Sequence, residues 1–242
     1  MAAWYYIALV VLSERTRFLL PPPHTVVFTA FQPAVFSELR SALLQSIIVS
    51  LTGLAISVVL GVAWATAMAQ ARWVEQSLFP YAVVLQCIPV LALVPLIGFW
   101  FGFGLPARVI VCTMISLFPI VSNTLFGLQS VDKAQRELFQ LQRATRWTVL
   151  RKLEFPTALP AIFAGIRISA GLSVVGAIVG DFFFRRGTPG LGSLISTYQS
   201  RVQGPELFAS IAVAALLGVT VFVAFGWLGR CVVGRWYDFG SR

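Results

Sequence analysis

The sequence predicts an all-α polytopic membrane protein with five full spans, preceded by a partial or truncated first helix. Three observations predict it. The 242 residues are 58% hydrophobic and 11% charged, with a mean hydropathy of +0.85, whereas a soluble domain is roughly one quarter charged. Several apolar runs reach the about 20 residues that a helix needs to cross a bilayer. The longest polar segment, Glu137–Pro160 (ELFQLQRATRWTVLRKLEFPTALP), carries Arg143, Arg146, Arg151 and Lys152, a charge cluster that hydrocarbon does not tolerate. Short Lys/Arg-rich loops lie in the cytoplasm, so this stretch orients its neighbours. Residues 1–242 read as one membrane domain, with 128–160 as its cytoplasmic loop.

Met1–Leu12 is apolar but too short to span. It fits either the second half of a first span whose start lies outside the sequence or a short interfacial helix. Pro21, Pro22 and Pro23 then forbid a helix and favour extended polyproline geometry, on the outer side. An amphipathic approach around Val35–Arg40 leads into the first full span, Leu43–Met68. Gly53, Ser57 and Gly61 form a small-residue face there, suited to close helix packing in lipid. Ala69–Ser77 is a polar cytoplasmic turn. The second span, Leu78–Trp100, contains Pro80, Pro89 and Pro95, so it is kinked or broken between Pro89 and Pro95. Such a break is either purely structural or faces a water-filled cavity.

FGFGLP (Phe101–Pro106) is a tight outer turn, and Arg108–Gly127 is the third span. Its Ser122 and Asn123 either bond a neighbouring helix or line a pathway. After the cytoplasmic loop comes the span Ala161–Phe184. Ala161, Gly165, Ser169, Ser173, Ala177 and Asp181 recur there every four residues, giving a stripe of small residues that ends in a carboxylate. At about 1.5 Å per residue Asp181 lies roughly 30 Å above Pro160, near the outer boundary. Arg167 is close enough to the cytoplasmic interface to snorkel back to it. Phe182–Gln203 is an outer excursion with a short helix around Leu194–Arg201, Glu206–Leu228 is the last span, and Arg230 and Arg235 mark a cytoplasmic tail.

Composition also excludes several functions. The net charge of +9 sits in loops between spans rather than on one contiguous face, which argues against nucleic acid. Cys87, Cys112 and Cys231 lack metal-ligand spacing, and one histidine, His24, builds neither a zinc site nor a histidine-based triad. A membrane aspartyl protease needs two carboxylates, and Asp181 is the single aspartate in any predicted span. The chain holds no G-x-x-x-x-G-K-[ST] loop. Arg143–Lys152 offers a helix with Trp147 and Leu150 on one side among basic residues, an aromatic anchor suited to protein docking.

The loop resembles the EAA motif of binding-protein-dependent ABC importer permeases (Glu-Ala-Ala, three residues, Gly, nine residues, Ile-x-Leu-Pro). Glu137 takes the Glu position, Leu138 and Phe139 replace the alanines, and Leu153-Glu154-Phe155-Pro156 fills the closing tetrapeptide. PVLALVPLIGFWFGFG (Pro89–Gly104) and FPIVSNTLFGL (Phe118–Leu128) are similar to the nitrate, sulfonate, taurine and thiamine-precursor group, as is an acidic residue closing the next span, here Asp181. The resemblance covers roughly Ser46 to Trp227.

It implies a type I ABC importer transmembrane domain that moves a small polar solute by alternating access. ATP and Mg would be bound by a partner ATPase, with no cofactor in this chain. The other implied partners are a second permease copy, identical or not, an extracytoplasmic solute-binding protein and the bilayer. Glu137, Leu138, Phe139, Arg143, Ala144, Thr145, Arg146, Trp147, Leu153 and Pro156 would form the ATPase-coupling loop. Pro89, Pro95, Ser122, Asn123, Gly165, Ser169, Ser173 and Ala177 would serve the pathway or helix packing, and Asp181 the outer gate or the binding-protein contact. Arg143 departs from the motif, because glycine turns the chain there without a Cβ penalty. The arginine must take a strained φ or reshape the turn. A divergent, non-transporting scaffold or regulatory subunit is the alternative reading.

Overall fold

The computed structural model describes residues 2–6, 8 and 20–234. The helices are α1 (Ala2–Tyr6), α2 (Pro23–Ala30), α3 (Pro33–Ala69), α4 (Arg72–Cys87), α5 (Val90–Phe101), α6 (Leu105–Gln129), α7 (Lys133–Leu141), α8 (Arg146–Val149), α9 (Phe155–Phe183), α10 (Leu191–Ser200) and α11 (Gly204–Val233). A π-helical turn, Leu150–Glu154, joins α8 to α9. Four helical stretches are long and apolar enough to cross a membrane: Pro33–Ala69, Leu105–Gln129, Arg146–Phe183 and Gly204–Val233. They become five if α4 and α5, bent by 97° against each other, count as one span.

Proline at the first or second position opens α2, α3, α6 and α11. There its missing N–H costs nothing and its fixed φ suits a helix. This corrects the expectation for the proline run. Pro22 is extended (φ −58°, ψ 144°) but Pro23 starts α2. It also explains why α3 starts ten residues before the expected span. After Pro33 nothing interrupts the chain, so the amphipathic approach and the span form one 37-residue helix. The expected polar turn at 69–77 shrinks to Gln70 and Ala71. The Met1–Leu12 reading falls partly on residues 1, 7 and 9–12, outside the described residues. What is described packs on the outer side, where the Trp4 ring lies tilted at 46° against Phe208 and its indole N–H donates to the Pro21 carbonyl at 3.1 Å. Arg235 also lies outside the described residues.

The α4–α5 break falls at Ile88–Pro89. Ile88 is extended (ψ 125°), as a residue before proline prefers, and Pro89 caps α5. Pro95 sits inside α5, and both prolines are exposed.

α6 is sandwiched between two small-residue faces. On one side stand Gly53, Ser57 and Gly61 of α3; a Cβ at Gly53 would lie 2.7 Å from Cys112 Cβ, and one at Gly61 would lie 2.8 Å from Ile120. On the other side stand Gly165, Ser169, Ser173, Gly176, Ala177 and Gly180 of α9, all buried. A Cβ at Gly165 would lie 2.8 Å from the Pro119 carbonyl oxygen, and one at Gly176 would lie 2.8 Å from Cys112 Cα. Without a hydrophobic drive between helices in lipid, such backbone approach supplies the attraction. Hydroxyls add to it: Ser57 Oγ lies 2.8 Å from Ser116 Oγ, and Ser169 Oγ donates to the Ser116 carbonyl at 2.6 Å. Half-buried Asn123 donates to the Pro119 carbonyl of its own helix at 2.7 Å, and half-buried Ser122 lies beside it.

Candidate functional site

Two regions collect the chemistry, one at each end of the bundle. At the cytoplasmic end, Asp132 caps α7 by accepting from the Ala134 N–H at 3.1 Å. α7 ends in a Schellman turn: the Arg143 N–H donates to Gln140 O at 2.9 Å and the Ala144 N–H to Phe139 O at 3.0 Å. That turn requires a left-handed residue, normally glycine, and Arg143 supplies it with φ +51°. The arginine therefore accepts the strained conformation and keeps the turn.

Left-handed backbone costs a side-chain-bearing residue about 1–2 kcal/mol. Arg143→Gly should accordingly stabilise the loop by about 1 kcal/mol and slow exchange of the 143 and 144 amides about fivefold. Unchanged or faster hydrogen exchange would show that the turn carries no strain.

Thr145 then caps α8, accepting from the Thr148 N–H at 3.3 Å. The loop is tied to the bundle by Arg136, which donates to Leu128 O at 3.1 Å and pairs with Glu154 at 3.2 Å. Arg146 ties it to α3 by donating to Gln70 O at 3.0 Å. Leu150 and Leu153 are buried, with Leu150 packed among Leu128, Ala158, Ile162 and Ile166. Trp147 does not share that burial. It is 69% exposed, with Leu138 at 54% and Leu141 at 82%. Trp147 and Leu150 nonetheless share a side, as expected: both line one groove with Val58, Val62, Thr66 and Phe155, Leu150 at its buried base and Trp147 at its exposed rim. Glu137, Arg143, Thr145 and Arg146 are exposed, whereas Phe139, Ala144 and Pro156 are half-buried.

At the outer end, Asp181 is fully buried and pairs with the equally buried Arg108 at 2.8 Å. The same guanidinium donates to the carbonyls of Phe184 (2.8 Å), Thr188 (2.8 Å) and Arg186 (3.1 Å), clamping the chain that leaves α9. Ser46 of α3 donates to Asp181 Oδ2 at 3.4 Å and accepts from the Leu191 N–H at 2.9 Å. Ser193 Oγ donates to the Asp181 carbonyl at 3.0 Å. Gly190 and Gly192 rest directly on Asp181, leaving no room for a Cβ. α3, α6, α9 and α10 thus meet at one carboxylate. Tyr198 secures the far end of α10 by donating to Glu38 at 2.6 Å. Burial, with the Glu38 carboxylate it faces, pushes this phenol well above its ordinary pKa, so it remains a donor at neutral pH.

Arg108 was the residue that sequence reasoning missed. Its signal was present: a lone cation at the outer end of an apolar helix runs against the cytoplasmic bias of basic residues and needs a carboxylate at its own depth. Asp181 meets that need. Because Asp181 is buried, its own side chain offers no surface to a docking protein. Gly165, Ser169, Ser173 and Ala177 are likewise buried between helices. Among the described residues no group of three or more His, Cys, Asp or Glu is placed to hold a metal ion.

Residues 57–236 match the profile of the family described as binding-protein-dependent transport system inner membrane component. The riboflavin transport system permease protein RibX of Chloroflexus aurantiacus is 35% identical over 94% of this chain and 84% of its own length. The formylaminopyrimidine transport permease protein ThiX of Halalkalibacterium halodurans is 35% identical over 86% of this chain and 82% of its own. Among solved structures, an amino acid ABC transporter with histidines superposes with a TM-score of 0.65 at 19% identity over 81% of this chain and 94% of that one. The inward-facing MetNI methionine ABC transporter does so at 0.62 and 16% identity over 91% and 99%. The chain belongs to the inner-membrane components of binding-protein-dependent transport systems, the multi-pass, non-catalytic permease subunits of ABC importers that pass a small polar solute across the membrane.

Proposed function

We propose that this permease imports a nitrogen-heteroaromatic vitamin or vitamin precursor, of the flavin or aminopyrimidine class, and that its 128–160 loop couples transport to a separate ATPase. The substrate reading rests on the relatives named for riboflavin and formylaminopyrimidine, each 35% identical over most of this chain. The relative named for aliphatic sulfonates, from Bacillus subtilis, is 30% identical over 83%. Uptake of labelled riboflavin and formylaminopyrimidine, against taurine and carnitine, in cells with and without this gene tests it. Gene-dependent uptake of taurine or carnitine alone would overturn it.

The coupling reading rests on one observation: Leu138, Leu141 and Trp147 are exposed on a loop whose backbone is capped and tied at both ends. Exposed apolar anchors on a held scaffold mark a docking face. A Trp anchor at an interface centre is worth about 2 kcal/mol or more. Leu141→Glu with Trp147→Ala should therefore reduce ATPase recovery with the tagged chain, and ATP-driven uptake, by about thirtyfold or more. Unchanged recovery of the ATPase by the double variant would sink this reading and favour a scaffold role.

The intact Schellman turn supports a homodimer, since no second permease need supply a motif glycine. Mass-spectrometric stoichiometry of the native complex decides: two copies of this chain per complex support it, and one copy with a different permease overturns it. In this arrangement Pro89 gives α4–α5 its bend beside the pathway, and Pro95 lies within α5 beyond it. Gly165, Ser169, Ser173 and Ala177 hold the helices together, while half-buried Ser122 and Asn123, the latter bonded within its own helix, are left to the pathway. Asp181 acts on the outer gate, and on a delivered binding protein, through the 184–190 segment it positions.

A further inference from the structure

Arg167 does not snorkel. It lies on α9 six residues above Ala161, about 9 Å inside the inner boundary expected for that span. Its guanidinium stays at that depth, 4.3 Å from the centre of the Phe222 ring and against Gly226, whose absent side chain makes the space. The side chain is exposed and faces a groove of about 560 Å³ between α9 and α11, along with Phe163, Phe225 and Arg230. Gly229 packs on Phe163, which places Arg230 roughly one helical turn closer to the cytoplasm than Arg167 on the opposite wall.

The groove therefore carries two cations, one at the interface and one below it, on otherwise aromatic and apolar walls. Among the described residues none of its lining side chains is acidic. An arginine held within hydrocarbon costs at least about 2.5 kcal/mol, and a cation–π contact returns only about 0.5–2 kcal/mol. The remaining charge calls for an anion that arrives with an apolar body. We propose that this groove binds an anionic phospholipid of the cytoplasmic leaflet, its phosphate between Arg167 and Arg230 and an acyl chain along Phe163 and Phe225. Guanidinium matches phosphate geometry in two-pronged fashion, and basic pockets between spans on the cytoplasmic side suit such headgroups.

The test uses the native complex exchanged into neutral detergent, titrated with phosphatidylglycerol or phosphatidylcholine, and read as retained lipid by native mass spectrometry. Phosphatidylglycerol should be retained over phosphatidylcholine. Its apparent affinity should fall about tenfold in Arg167→Gln and in Arg230→Gln, but not in Arg185→Gln on the outer face. Equal retention of the two lipids, or unaltered retention by Arg230→Gln, overturns the assignment and leaves the groove to a neighbouring protein chain. Displacement of phosphatidylglycerol by millimolar inorganic phosphate also overturns it, in favour of a free-anion site. Should Arg167→Gln fail to assemble, Arg230→Gln at the groove mouth decides on the same outcomes.

Discussion

Arg108→Met is expected to destabilise the protein by about 3–5 kcal/mol, the cost of leaving one partner of a buried ion pair alone. The loss has two parts. Asp181 would keep a buried carboxylate with only Ser46 and nearby backbone to satisfy it. The carbonyls of Phe184, Arg186 and Thr188 would lose their shared donor, and the segment leading into α10 would come loose. Arg108→Met with Asp181→Asn should recover part of the loss, because replacing both charges removes the uncompensated one while the three carbonyls stay undonated. Denaturation in mild detergent measures all three proteins. A single-variant cost under about 1 kcal/mol would mean that the pair is not what holds the outer end.

Gly176→Leu should cost about 3 kcal/mol, whereas the same change at Gly171 should stay within about 1 kcal/mol. The two glycines lie five residues apart on one helix and differ in what they face. A Cβ at Gly176 meets Cys112 Cα at 2.8 Å and the Cys112 carbonyl at 3.4 Å, which is backbone and cannot step aside. A Cβ at Gly171 meets only the edge of Phe222, at 3.7 Å, an ordinary contact. Thermal unfolding of the two variants gives the comparison. Equal costs would show that α6 and α9 can part without penalty.

Much of this arrangement was legible in the residues, and for identifiable reasons. Pro89 forced the break in the second span because a proline constrains both itself and the residue before it. Gly53, Ser57 and Gly61, and the stripe from Gly165 to Ala177, announced close packing because nothing else lets backbones touch. The start of α2 was misread because three prolines in a row resemble a breaker, while the last of them is also a good first helical residue. The π turn at Leu150–Glu154 was not legible, since it inserts a residue that periodicity cannot anticipate. The Arg108–Asp181 pair joins residues 73 positions apart, and the sequence held only its two unmatched charges.

One rod, 38 residues from Arg146 to Phe183, puts about 51 Å between the exposed Trp147 and the Asp181 node. Leu150–Glu154 introduces one extra residue per turn into it. Pro156, which has no N–H and whose ring would collide with the Lys152 carbonyl, follows at once. A single residue is worth about 100° of rotation in an α-helix. The π turn therefore works as a phase setting, fixing the compass bearing of Trp147 relative to the face that α9 lays against α6. Any twist applied at the cytoplasmic end reaches Asp181 along this same shaft, past Pro160, whose missing N–H leaves one weak point inside α9.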